Sequence, residues 1–98
     1  MSTERTAPHV WALRVDPGAQ KQLDRLPPVD FARVDAAILA MRVDPLAGNV
    51  KRLKNHPHGF RRRVGAYRVF FDLDQPARVV IIAGVERRTS TTYRKRRR

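Results

Sequence analysis

Residues 60–85 decide the fold of this chain, and they read FRRRVGAYRVFFDLDQPARVVIIAGV. The stretch holds three strand-like runs, at residues 60–64, 67–73 and 78–85. The Gly65-Ala66 pair is short enough to join the first two runs as a hairpin, and the Asp-Gln-Pro sequence at 74–76 supplies the second turn. The sequence therefore predicts an antiparallel meander of three strands. The last run is apolar at both its odd and its even positions, which predicts a central strand covered on both faces.

Upstream of the meander, the residue pattern predicts one short strand and two helices. Apolar residues alternate over residues 9–15, as they do in a strand. Asp16 and Pro17 then supply an N-cap and a first-turn proline for a helix that ends before Pro27. A second helix is predicted over residues 28–42, where apolar residues recur at helical spacing. Because the turn between the two helices is so short, we expect them to pack as an antiparallel hairpin.

The predicted order is strand, helix, helix, three strands and a basic tail, with residues 51–59 mostly in a loop. This order is typical of an α+β fold in which an N-terminal strand and a helical hairpin pack on a mainly antiparallel sheet. The chain has 98 residues, of which 42% are apolar. We expect a single domain over residues 1–98, with flexible tails at 1–8 and 94–98.

The composition excludes several classes of protein and site. There is no cysteine, which excludes disulfides, thiolate zinc sites and cysteine nucleophiles. The longest apolar stretch, residues 79–85, is far shorter than the roughly 20 residues that span a bilayer. Residues 1–10 lack the apolar core of a secretory signal. We therefore expect a cytoplasmic protein with no membrane partner.

The positive charge of the chain lies in its second half. The chain has 21 Lys and Arg residues against 9 Asp and Glu residues, which gives a net charge of +12. Residues 1–50 hold equal numbers of basic and acidic residues, so residues 51–98 carry the whole excess. This asymmetry predicts a polyanionic partner, either a nucleic acid or an acidic protein.

Arginine residues dominate the candidate chemistry. Strand alternation puts Arg61 and Arg63 on one face of the first run. Arg68 lies on the adjacent strand just past the hairpin turn, while Arg87 and Arg88 follow the last strand. We expect these guanidinium groups to meet on one sheet surface, where they would bind phosphate oxygens and stabilise negative charge in a transition state. The alternative is a solvated basic face.

Further basic and aromatic residues are candidates for RNA binding. The basic ones are Lys51, Arg52, Lys54, Arg88 and Arg94. Such cations bind phosphates, which gives affinity without sequence choice. Tyr93 either stacks on a base or anchors the tail by packing, and the sequence alone favours packing.

The histidines and carboxylates give weaker signals. His56 and His58 flank a proline and could bind a metal together with His9, but no carboxylate or cysteine stands near them in the sequence. We therefore predict no metal and no cofactor. Asp72 and Asp74 alternate onto one face near a turn, where solvated or capping roles are expected.

Several motifs together resemble the RelE/ParE superfamily of bacterial type II toxins, from about residue 10 to residue 93. The motifs are DPLAG at 44–48, KRLK at 51–54, FRRRVGAYRV at 60–69, VERR at 85–88 and Tyr93-Arg94. Each motif is weak by itself, and together they are specific. The resemblance implies a fold like that of small microbial ribonucleases, with a helical hairpin against an antiparallel sheet.

Two activities occur in this superfamily. RelE-type members cleave mRNA in the ribosomal A site, where the 2′-hydroxyl attacks the adjacent phosphate without a metal. ParE-type members share the fold, poison DNA gyrase and usually lack the ribonuclease residues. The matched positions in this chain are all basic or aromatic, which favours the RelE-type activity. A ParE-like gyrase inhibitor and a non-catalytic RNA-binding domain remain as alternatives.

The resemblance implies a role for each matched basic residue. Lys54 corresponds to a basic position that lines the site. Arg61 and Arg63 correspond to two strand residues that RelE proteins often fill with lysine. Arg68 corresponds to the arginine that binds the phosphate. Arg87 corresponds to the arginine proposed to protonate the leaving oxygen.

Two further points concern substrate orientation and deprotonation. Tyr93 corresponds to the tyrosine that stacks on or orients the nucleotide. The departure from the family pattern is arginine at positions 61 and 63, because arginine keeps its proton where a crowded lysine can lose it. A general base at Arg61 or Arg63 is therefore disfavoured. Catalysis would then depend on orientation and electrostatic stabilisation, with the RNA held by the ribosome.

The resemblance and the basic surface together predict two partners. One is a cognate antitoxin, whose acidic or amphipathic segment wraps the toxin and covers the site. The other is the ribosome with its mRNA. We expect the toxin–antitoxin complex to be heterotetrameric or larger.

Overall fold

The computed structural model describes residues 10–88, so the tails predicted at 1–8 and 94–98 lie outside the described residues. Within this range the chain forms two helices and five strands. In chain order they are β1 (Ala12–Val15), α1 (Pro17–Asp24), α2 (Pro28–Ala40), β2 (Val50–Arg52), β3 (Phe60–Val64), β4 (Tyr67–Asp74) and β5 (Val79–Arg87). Neither helix in the described range is long and apolar enough to cross a membrane.

The five strands form one sheet in the order β1-β5-β4-β3-β2. Strands β3, β4 and β5 are the predicted antiparallel meander. β1 lies at one edge of the sheet and pairs with β5 in parallel, with Ala12 opposite Val79 and Val15 opposite Ile82. The predicted α+β fold, with two helices on a mainly antiparallel sheet, is confirmed.

Both helices pack against the same face of the sheet. α1 contributes Ala19 and Leu23 to the core, and α2 contributes Val34 and Ile38. The sheet residues in this core are Val64, Tyr67, Val69, Phe71, Val80, Ile82 and Val85. Burial of each large apolar side chain contributes about 1.5–3 kcal/mol, so the interface between helices and sheet holds the fold together.

Strand β5 is interior in the sheet but is covered by helices on one face only. Val80 and Ile82 are fully buried on the helix face, whereas Val79 and Ile81 on the other face are half-buried. The prediction that this strand is covered on both faces is therefore wrong. Both helices lie on one side of the sheet, so the second apolar row of β5 receives no helical layer.

The helix ends differ slightly from those predicted. Asp16 occupies the N-cap position of α1 with an extended backbone, but its side chain makes no capping hydrogen bond. Its carboxylate lies 3.7 Å from the guanidinium of Arg14 instead. α2 begins at Pro28 as predicted and ends at Ala40, slightly before the predicted end at Arg42.

A short strand, β2, lies where the sequence predicts a loop. It pairs antiparallel with β3, with Val50 opposite Arg62. Three residues are too few to show a period, and their extended conformation comes from this pairing. Gly48, with a φ angle of 88°, makes the turn before β2 in a conformation that glycine adopts readily.

A bulge in β5 determines which residues beyond it face the helices. Phe70 pairs with Gly84, while the next residue of β4 pairs with Ile82. Ala83 is therefore an extra residue on β5. Because side chains alternate along a strand, the extra residue exchanges the faces of the positions that follow it. Val85 is buried in the core for this reason.

Candidate functional site

The sheet face opposite the helices, here called the open face, carries a cluster of basic side chains. Arg63 of β3 lies directly opposite Arg68 of β4. Arg61 lies opposite Phe70, and Lys51 of β2 lies opposite Arg61. Paired residues of antiparallel strands share a face, so the four cations lie together as the sequence predicts for its three arginines. We refer to Lys51, Arg61, Arg63 and Arg68 as the basic cluster.

Like charges crowd one another in the basic cluster. No carboxylate lies within 4.0 Å of these cations anywhere in residues 10–88. Burial lowers the pKa of Arg61 most, and it is lowered further by the charges of Arg63, Arg68 and Arg88. A guanidinium nevertheless stays charged at neutral pH. The cluster therefore favours an anionic ligand, which would relieve the repulsion.

Neutral oxygens hold two of the guanidinium groups in place. Arg61 Nη1 donates to Asn49 Oδ1 at 3.2 Å. Arg88 Nη1 donates to the backbone oxygen of Gly65, also at 3.2 Å. Arg68 Nε is buried and has no acceptor among the described residues. The open face thus presents donors that are positioned but not neutralised.

A cavity of about 460 Å³ lies beside the basic cluster. Its lining includes Arg61, Arg68, His56, His58 and Glu86. This volume is within the range of roughly 300–1,000 Å³ that is typical of ligand sites. The cavity combines donors for phosphate oxygens with side chains that exchange protons.

Arg87 does not join the basic cluster. Its position in the register is opposite Tyr67, and its Cζ lies 5.9 Å from the centroid of the Tyr67 ring, on the helix face. The expectation that Arg87 shares a surface with Arg61 is therefore not met. The bulge at Ala83 is the physical reason, because it turns Arg87 to the face of the core. The role that the resemblance implies for Arg87 stays a prediction.

Tyr67 links the sheet to α2 beside Arg87. Its hydroxyl donates a hydrogen bond to Asp30 Oδ2 at 2.9 Å. This hydrogen bond, burial and the charge of Asp30 raise the pKa of Tyr67, and the charge of Arg87 acts in the opposite direction. Arg87 therefore lies beside a buried structural contact.

The remaining predicted RNA-binding residues lie in different places. Arg52 is on the helix face of the sheet, with its Cζ 5.9 Å from the centroid of the Phe60 ring. Lys54 is exposed in the loop that follows β2. Tyr93 and Arg94 lie outside the described residues, so their predicted roles stay predictions.

A histidine–carboxylate pair beside the cavity was missed by the sequence reasoning. His58 Nδ1 lies 3.0 Å from Asp72 Oδ2. The inference that no carboxylate lies near these histidines is therefore wrong for the folded chain, because the pairing of β3 with β4 brings Asp72 to the loop. No group of three or more His, Cys, Asp or Glu residues within residues 10–88 is arranged to hold a metal ion.

The sequence contained only part of the signal for this pair. The short Gly65-Ala66 turn fixes the register of the β3–β4 hairpin, with Phe60 opposite Phe71. Counting one position further outward places Gly59 opposite Asp72, in agreement with the hydrogen bond from the Gly59 N–H to that carboxylate. The same count does not indicate that the ring of His58, one residue further along the loop, turns to Asp72.

Comparisons with known proteins find relatives only at the level of structure. No protein-family model matches the chain, and no curated protein matches it. The RelBE2 toxin–antitoxin complex from Mycobacterium tuberculosis contains a similar chain, with 28% identity and a TM-score of 0.72. The match covers 81% of this chain and 92% of that chain.

Two other structures extend the comparison to distant organisms. A chain of the RelE–RelB complex from Pyrococcus horikoshii matches with 20% identity and a TM-score of 0.72, over 83% of this chain and 98% of that one. The isolated RelE toxin of E. coli matches with 15% identity and a TM-score of 0.66, over 89% of this chain and 96% of that one. At these identities the likeness concerns the fold.

Proposed function

We propose that this chain, whose fold is that of the RelE toxins, is the toxin of a type II toxin–antitoxin system and cleaves mRNA in the ribosomal A site. The observation that carries the proposal is the basic cluster on the open face, with Arg61, Arg63 and Arg68 beside a cavity. The similarity to RelE chains supports the toxin class. The arginines support phosphate chemistry.

In the proposed reaction, the nucleophile is a hydroxyl group of the RNA substrate. The 2′-oxygen attacks the adjacent phosphorus, the bond to the 5′-oxygen breaks, and the products are a 2′,3′-cyclic phosphate and a 5′-hydroxyl. Negative charge builds on the phosphoryl oxygens during the attack. The guanidinium groups of Arg61, Arg63 and Arg68 are the donors that would stabilise that charge. The proposed attack is metal-independent, because the cluster itself supplies the positive charge.

Two partners are part of the proposal. The similar chain from M. tuberculosis is part of a toxin–antitoxin complex and the one from P. horikoshii is part of a RelE–RelB complex, which supports a cognate antitoxin for this chain. An acidic antitoxin segment bound to the basic cluster would relieve the repulsion among the cluster's cations and would block the binding of RNA there. The second partner is the ribosome, which would hold mRNA in the geometry for in-line attack.

The test measures cleavage of a defined mRNA on purified translating ribosomes, with mapping of the new 5′ ends. Arg61→Gln with Arg63→Gln should lower the rate by about 100-fold or more, as loss of positioned transition-state donors does. Lys21→Gln with Arg25→Gln is the matched control, because it removes the same charge from exposed positions at α1. The control should cleave at the wild-type rate.

Two outcomes would contradict the proposal. One is equal loss in both double variants, which would mean that the cations act only as diffuse charge. The other is a wild-type protein that leaves mRNA intact but blocks supercoiling by DNA gyrase. That result would support the ParE-like alternative instead.

A further inference from the structure

The cavity beside the basic cluster contains a histidine that is held by a carboxylate. His58 Nδ1 lies 3.0 Å from Asp72 Oδ2, and Asp72 Oδ1 accepts the backbone N–H of Gly59 at 2.6 Å. Both oxygens of Asp72 are therefore engaged by the loop that carries His58. A carboxylate accepts a hydrogen bond from the protonated ring nitrogen, so the contact fixes both the ring orientation and the tautomer.

This tautomer leaves a proton acceptor on His58. With the proton on Nδ1, Nε2 carries a free lone pair, and His58 lines the same cavity as Arg61 and Arg68. His56 is engaged differently. Its Nδ1 accepts the backbone N–H of His58 at 3.0 Å, and its ring stacks on Phe70 with the centroids 5.1 Å apart. His58 is thus the imidazole that has both a positioning carboxylate and a free acceptor.

The basic cluster supplies positive charge but no group that removes a proton. Arginine does not release its proton in proteins, whereas histidine gains and loses one between pH 5 and 8. We infer that His58 is the general base of the RNA cleavage, positioned by Asp72. The inference rests on the proposed function and names the residue that takes the proton of the attacking hydroxyl.

The step balances with RNA and water alone. Nε2 of His58 takes the proton of the 2′-hydroxyl as the 2′-oxygen forms its bond to phosphorus. The bond between phosphorus and the 5′-oxygen breaks, and that oxygen takes a proton from water. The imidazolium returns its proton to the hydroxide so formed. Asp72 stabilises the imidazolium while it exists, as a carboxylate does for a catalytic imidazole.

The test is single-turnover cleavage of mRNA on purified ribosomes by the full-length protein. His58→Asn keeps an amide N–H near the position of Nδ1, so the contact with Asp72 and the loop is retained while the base is lost. The rate should fall by about 100-fold or more, which is the range for loss of a general base. The melting temperature should not change.

Rescue by free imidazole separates catalysis from a structural role. His58→Ala opens space beside Asp72, and added imidazole should restore its rate by about tenfold or more. Imidazole should not restore the variant that lacks the charges of Arg61 and Arg63. His56→Asn is the matched comparison from the same loop, and it should lose less activity than His58→Asn and gain nothing from imidazole.

The outcomes distinguish this inference from the proposed function. A wild-type rate in His58→Asn would overturn the inference and leave the ribonuclease intact. A loss in His58→Ala that imidazole does not restore would also overturn it, and this arm decides the matter if His58→Asn lowers the melting temperature. A wild-type protein that cuts no mRNA on ribosomes would overturn both.

Discussion

Removing one charge from the basic cluster should stabilise the fold while weakening the proposed activity. Arg63 and Arg68 are paired directly across β3 and β4. Like charges at such positions destabilise a sheet, and cross-strand pairs are worth about 0.2–1 kcal/mol. Arg63 is exposed, so screening by solvent places the repulsion in the lower part of that range, at about 0.2–0.5 kcal/mol. Arg63→Gln removes this repulsion and keeps a long polar side chain.

The expected change is measurable by thermal unfolding. In a domain of this size, 1 kcal/mol corresponds to roughly 4–8 °C, so Arg63→Gln should raise the melting temperature by about 1–4 °C. The rise should be largest near 0.01 M salt and small near 1 M, where the Debye length falls from about 30 Å to about 3 Å. Cleavage on ribosomes should decrease in the same variant.

Arg63→Lys is the matched control because it retains the charge and should leave the melting temperature at the wild-type value. A fall in melting temperature for Arg63→Gln would refute the reasoning, since Arg63 would then make a stabilising contact. A rise that does not depend on salt would also refute it, because the gain would not be electrostatic.

Three further predictions concern the helix face, the strand end and the core. Tyr67→Phe should lower stability in urea unfolding, because the hydrogen bond to Asp30 is lost. That bond raises the pKa of Tyr67 in the folded protein. The difference in the free energy of unfolding between Tyr67→Phe and wild type should therefore have its full size below about pH 10, and should disappear as the pH rises through the higher pKa of the folded state. Arg88→Ala should reduce the rate of cleavage about tenfold more than Arg87→Ala does, because Arg88 lies near Arg61 whereas Arg87 lies on the helix face. Equal losses in the two variants would contradict this placement. Phe71→Ala should cost about 3–5 kcal/mol in urea unfolding, since this ring is fully buried; a cost under about 1 kcal/mol would mean that it is not central to the core.

Local patterns in the sequence were sufficient to predict the meander and the three arginines on the open face. Alternation along β3 places Arg61 and Arg63 on the opposite face of the sheet from the residues next to them, and the short Gly65-Ala66 turn fixes the pairing with β4. Both are short-range properties, so a single sequence shows them. The predicted helices are present for the same reason, with prolines at their starts.

The features that were missed depend on pairing between distant segments. β2 is extended only because it pairs with β3. His58 and Asp72 meet across a hairpin, and neither residue type indicates the other in sequence. The bulge at Ala83 leaves no local signal in an apolar run, yet it determines the face on which Arg87 lies. Register and bulges are set by tertiary packing, which residue patterns do not contain.

The bulge at Ala83 also bears on how the strand tolerates insertions and deletions. Loss of this one residue would remove the bulge and leave Gly84 opposite Phe70 and Arg87 opposite Tyr67, so Arg87 would stay on the helix face and Arg88 on the open face. The charge of the open face would thus survive a one-residue deletion at this position, although a change of one residue in length usually exchanges the faces of a strand.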